Sequence, residues 1–100
     1  MSMALDERLR AAIAALLHAT GESQADLAAA LGVSQAQVSR RQSGTAAWSL
    51  TDCDTVAAHY GIDALELLAG PTRATESLPP RRRRPPARTR RAAAQHGGAR

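Results

Sequence analysis

The sequence predicts an all-α fold: one domain of five short helices, followed by a disordered basic tail. Three observations lead there. Apolar residues recur at helical spacing from Leu5 to Leu68. Each run after the first opens on a capping residue, and every run is followed by a glycine. After Pro71 the apolar pattern stops and proline and arginine take over. The domain boundary is therefore placed between residues 70 and 71, within a chain of 100 residues that suits a single small domain. Trp48 and Tyr60 are the only aromatics, so the core must come from Leu, Ile, Val and Ala.

The first helix spans about residues 4–19. Leu5, Leu9, Ala12, Ile13, Leu16 and Leu17 make its apolar face, and Asp6 and Glu7 favour its first turn. Gly21 stops it. Ser23 caps a second helix, with Asp26 three residues on completing a capping box. Leu27, Ala28 and Leu31 face one side, and Gly32 ends it. Ser34 caps a third helix reaching about Gln42. Only Ala36 and Val38 are apolar in it; the rest is Gln35, Gln37, Ser39, Arg40, Arg41 and Gln42. A helix this polar belongs on a surface, and amides and guanidinium groups are good readers of base edges.

Ser49 caps a fourth helix of about residues 50–60, with Leu50, Cys53, Val56, Ala57 and Tyr60 at core spacing. Asp63 caps a fifth, and Glu66 is placed for a further capping box. Leu65, Leu67 and Leu68 close the domain. Trp48 is expected to cover the edge of the core where the fourth helix begins. Beyond residue 71, Pro79-Pro80, Arg81, Arg82, Arg83, Arg84, Pro85-Pro86 and Gly97-Gly98 form a low-complexity stretch. It has too little apolar surface to offset chain entropy, and only residues 90–95 could form a transient helical turn.

The net charge of +4 hides a split. Residues 1–70 hold four arginines against eight acids, and residues 71–100 hold nine arginines against Glu76 alone. A basic tail thus follows a mildly acidic domain, and the tail would give salt-sensitive affinity for nucleic acid. The chain has no lysine, a bias that a GC-rich genome explains. The tail lacks an Arg-Gly-Arg-Pro core, which counts against an AT-hook.

Catalysis and metal chemistry find no support. His18, His59 and His96 show no metal-ligand spacing, and no nucleophile or acid–base pair stands out, so no enzyme and no cofactor is expected. Cys53 is alone, at a core position, and cannot form an intrachain disulfide. No signal peptide and no membrane-length apolar run is visible, so a cytoplasmic protein with no membrane partner and no small-molecule ligand is expected.

Residues 24–44 carry the functional signal. Gln24, Leu27-Ala28, Leu31-Gly32-Val33-Ser34, Val38-Ser39-Arg40 and Gly44 fall in the frame of a helix-turn-helix. Ala28 lets the helices cross closely, Gly32 makes the turn, and Val33 and Val38 bury the inner side. The text "SQADLAAALGVSQAQVSRRQSG" followed by "SLTDCDTVAAHYGIDALELL" resembles the lambda-repressor-like, Cro/Xre-type helix-turn-helix family over about residues 5–69. The run from Ser39 to Ile62 is similar to small actinobacterial and phage-encoded regulators, including phage immunity repressors.

The resemblance implies sequence-specific binding to double-stranded DNA in transcriptional regulation, as a repressor. It assigns base-edge positions to Ser34, Gln35, Ala36 and Arg40. It places Gln24 and the loop at Ser43-Gly44 on phosphates. Arg41 and Gln42 depart from the family, which commonly has an apolar or aromatic residue and then Glu there. Arg41 is an added phosphate contact or a surface cation, and Gln37 has a flanking or phosphate role. Arg81, Arg82, Arg83 and Arg84 are expected to add phosphate affinity from the tail. Other classes stay open: an autorepressing antitoxin, a non-specific nucleoid-type DNA-binding protein, or a protein-interaction module. A homodimer on a two-fold operator, formed through the outer face of the fifth helix, and a monomer are both open.

Overall fold

The computed structural model describes residues 3–84 of the chain. Six α-helices follow one another: α1 (Leu5–Thr20), α2 (Gln24–Leu31), α3 (Gln35–Ser43), α4 (Leu50–Tyr60), α5 (Ala64–Leu68) and α6 (Pro71–Glu76). A single 3-10 turn, Pro80–Arg82, comes last, and there is no strand among the described residues. None of these helices is long and apolar enough to cross a membrane.

The helix starts are chemically explicit. The Ser23, Ser34 and Ser49 hydroxyls accept the backbone N–H of Asp26, Gln37 and Asp52 at 3.1, 3.1 and 2.9 Å. The side chains of those three partners accept the serine N–H in return, at 2.8, 2.7 and 2.9 Å. Such caps satisfy backbone donors that the first turn leaves orphaned, each worth about 1 kcal/mol. Asp63 caps α5 through Leu65 N–H at 2.7 Å. The expected capping box with Glu66 does not form. Glu66 instead takes both guanidinium donors of Arg73, at 3.0 and 3.1 Å, and accepts the Ser77 hydroxyl at 3.3 Å.

Ile13 and Leu16 of α1, Leu27 of α2, Val38 of α3, Val56 and Tyr60 of α4 and Leu67 of α5 meet in one core, each fully buried. Trp48 packs half-buried against its edge. The turn between α2 and α3 is three residues, 32–34. Gly32 adopts φ +74°, a left-handed conformation that costs a side-chain-bearing residue energy.

The expectation of five helices ending in a disordered tail at residue 71 is corrected over residues 71–84. Pro71 opens α6 at its first position, where a missing N–H removes no hydrogen bond. Ala74 and Leu78, four residues apart, are 0% and 4% exposed, and α6 packs on α1. Pro79 then lies beside Gly61. Arg84 N–H donates to the Ala19 carbonyl at 2.7 Å, which returns the chain to the end of α1. The rest of the expected tail, with its helical turn at 90–95, lies outside the described residues.

Candidate nucleic-acid interface

The polar third helix divides cleanly into two sides. Val38 is fully buried against α2, and Arg41 and Gln42 turn partly inward beside it. Gln35, Ala36, Ser39, Arg40 and Ser43 are exposed. Positions i, i+1, i+4, i+5 and i+8 form one stripe along a helix, so these five residues share a face. No carboxylate stands anywhere on α3. The Arg40 guanidinium and the Gln35 amide make no hydrogen bond or ion pair among the described residues. Both are available to an external partner.

The remaining residues expected at the site are placed as follows. The Ser34 hydroxyl is engaged in capping α3. The Gln37 carbonyl oxygen is engaged in the same box, which leaves its amide N–H groups for a ligand. Gln24 is the first residue of α2 and half-buried. The Ser43 hydroxyl donates to the Arg40 carbonyl and shares a hydrogen bond with Thr45, both at 3.0 Å, tying down the loop after α3.

Arg41 is not part of the outward face. Its guanidinium lies 5.5 Å from the centre of the Trp48 ring, and Nε is 3.5 Å from the Asp52 carboxylate. One of its terminal nitrogens is buried with no hydrogen-bond partner. A cation held over an aromatic face and beside an acid acts as a brace. Gln42 performs a related task. Its amide donates to the Arg10 carbonyl at 3.0 Å, and its oxygen accepts the Trp48 indole N–H at 3.0 Å. The end of α3 is thus bound to α1 and to the loop before α4.

The arginines after α6 are not equivalent. Arg82 donates to the Glu22 carboxylate at 3.2 Å and to the His59 carbonyl at 3.1 Å, and it lies 5.4 Å from the centre of the Tyr60 ring. His59 Nε2 is 3.0 Å from Glu22 and 3.3 Å from Arg82. One ring nitrogen cannot donate to the acid and accept from the guanidinium together, so we assign the Nε2–H as the donor to the Glu22 carboxylate. Burial opposes charge on Glu22. The His59 hydrogen bond, the His59 charge and Arg82 outweigh that and hold its carboxyl below the ordinary value of 4.5. Tyr60 completes the corner with its hydroxyl buried and unpaired. Burial and the facing Glu22 charge push that hydroxyl well above the usual phenol range. Arg83 donates to the Thr75 carbonyl of α6 at 2.6 Å. The Arg81 and Arg84 side chains are exposed and make no side-chain hydrogen bond among the described residues.

Sequence reasoning counts Ser39 in the helix-turn-helix frame but gives it no contact, although it stands in the outward stripe, because a mid-helix serine has no signature of its own. It also passes over Gln42, Trp48 and Asp52 as braces. Cys53 is buried, and burial with the neighbouring Asp52 and Asp54 charges raises its thiol pKa, which disfavours the thiolate that reactivity requires.

No curated protein and no solved structure matches the chain. A family model described as the BetR domain matches residues 1–97. That match spans nearly the whole chain and supports a small helical domain of DNA-binding type; it does not extend to the narrower lambda-repressor-like resemblance. The protein belongs to the BetR domain family.

Proposed function

We propose that the protein is a sequence-specific double-stranded DNA-binding regulator, acting as a repressor, with α3 entering the major groove. The observation that carries this reading is the outward stripe of α3. It has no carboxylate, its Gln35 and Arg40 are exposed and unpartnered, and Arg41, Gln42 and Val38 hold it rigid from behind. The family match and the resemblance of residues 24–44 to a helix-turn-helix support it.

In this docking Arg40 donates two hydrogen bonds to a guanine edge and Gln35 pairs with an adenine edge. Each such pair gives about 1–3 kcal/mol of base discrimination. Ala36 meets a thymine methyl, and Ser34 and Ser39 flank them. Gln24, Gln37 and Ser43 position the helix on phosphates, contacts that orient without reading sequence. A second copy would meet the first through α5, where Leu65 is 74% exposed.

The test is selection of bound duplexes from a randomised pool by the full-length chain. A defined motif is expected, and the Gln35→Ala/Arg40→Ala double variant, folded by circular dichroism, should enrich none. Equal recovery of unrelated duplexes by the unaltered chain would overturn specific binding in favour of a non-specific, nucleoid-type role.

A further inference from the structure

Between Arg10 and Arg40 the chain has no arginine or lysine. That interval contains all of α2, the helix that crosses the DNA backbone in a helix-turn-helix docking. Glu22 in the turn before α2 and Asp26 in its first turn are both acidic. Taken alone, the phosphate-facing end of the helical pair has the wrong sign for DNA. The fold corrects this from a distance of some sixty residues in sequence. The segment after α6 is laid against this same corner: Arg84 N–H bonds to the Ala19 carbonyl, the Arg84 side chain passes Gly21, and Arg82 grips Glu22.

We propose that residues 80–84 form a docked phosphate-binding arm, with Arg82 as its latch and Arg81 and Arg84 as its contacts to the DNA backbone beside the α1–α2 turn. This rests on the DNA-binding reading above and deepens it. Arg82 spends its guanidinium on Glu22, the His59 carbonyl and the Tyr60 face, so it is a positioning residue. Arg83 secures the arm to α6 through Thr75. Arg81 and Arg84 remain exposed, and the latch lowers the entropy they would lose on meeting phosphates. The negative potential of Glu22 is offset by the same contact. Asp26 is partly occupied by the Ser23 N–H. The ligand class is the phosphodiester backbone of duplex DNA flanking the bases that α3 reads.

Two latch variants of the full-length chain separate this arm from a free basic tail. Glu22→Ala raises the net charge by one, and Arg82→Met lowers it by one. A free tail responds to charge alone, so the two should shift affinity in opposite directions. A latched arm loses its position in both, and both should weaken binding, by roughly three- to tenfold. Binding is measured by fluorescence anisotropy against the duplex motif selected above, over a salt series. Arg81→Ala/Arg84→Ala, which touches only exposed side chains, keeps the proposal testable if a latch variant does not fold. That variant should flatten the slope of log K against log salt by about 2. Tighter binding by Glu22→Ala, or an unchanged slope for the Arg81/Arg84 variant, would overturn the arm. Neither result would touch the base preference of α3, whose loss is the separate failure of the DNA-reading helix.

Discussion

The Trp48 indole donates its N–H to the Gln42 side-chain oxygen at 3.0 Å, while the Gln42 amide donates to the Arg10 carbonyl at the same distance. One side chain therefore joins three parts of the molecule: α1, the end of α3 and the loop before α4. Arg10 also lies over Gly44, its guanidinium carbon 3.4 Å from where a Cβ would stand. The orientation of the outward face of α3 depends on this junction as much as on Val38.

Gln42→Ala leaves the Trp48 N–H without its partner and removes the added hydrogen bond to the Arg10 carbonyl. Losing hydrogen bonds to partly buried groups should cost about 1–3 kcal/mol, read as a lower urea midpoint with an unchanged slope. A stability equal to that of the unaltered chain would show that water replaces the glutamine without cost.

Arg40 and Arg41 are adjacent yet face different ways, so alanine should affect them differently. Arg40→Ala should leave stability within about 0.5 kcal/mol and weaken DNA binding, because its side chain is exposed and makes no hydrogen bond or ion pair among the described residues. Arg41→Ala removes the stack on Trp48 and the ion pair with Asp52, and should destabilise the fold by about 1 kcal/mol. Thermal melts and anisotropy on both variants check this. Equal effects of the two on stability would contradict the inward placement of Arg41.

Much of this fold was legible in the sequence because its signals are local. Ser23, Ser34, Ser49 and Asp63 all cap where a capping residue precedes an apolar run. Val38 stood out as the one large apolar residue of α3, and the structure buries it. The sixth helix was hidden because only Ala74 within it and Leu78 just past its end mark an apolar side, and because Pro71 reads as a breaker as readily as a helix start. The braces and the latch were hidden for a different reason. Arg41 finds Asp52 eleven residues on, and Arg82 finds Glu22 sixty residues back. Charge counting treats such arginines as free, and only the packing of the helices decides which are used internally.

Leu78 is 4% exposed two residues after α6, outside the five helices that periodicity reveals. Leu78→Ala in the full-length chain should cost about 2–4 kcal/mol, as truncation of a buried leucine does. A cost below about 0.5 kcal/mol in urea titration would mean that α6 is an ornament on an independent core.

The Glu22 latch should open in acid. The folded protein holds the Glu22 carboxyl below its ordinary value of 4.5, so its ionised form stabilises the docked state. For a depressed acid, that contribution is complete above the ordinary value and is lost as pH falls through the folded value. The groups facing Glu22 set the outcome: His59 and Tyr60 from α4 and Arg82 from the arm, while the Asp26 charge of α2 acts on Tyr60. Once Glu22 is protonated, the Arg82 guanidinium loses the carboxylate it faces, and the ion pair that holds the arm is gone. The Arg84 amide, bonded to the Ala19 carbonyl at 2.7 Å, reports on the arm. Its nitrogen and proton shifts should move toward unstructured values below about pH 4.5, ahead of the resonances of Ile13 and Leu16 in the core. Glu22→Ala should show the released shifts at neutral pH, with no further acid transition at Arg84. An Arg84 amide that moves only with the global unfolding of the core would mean that the arm is held by Pro79 and Leu78 rather than by Glu22.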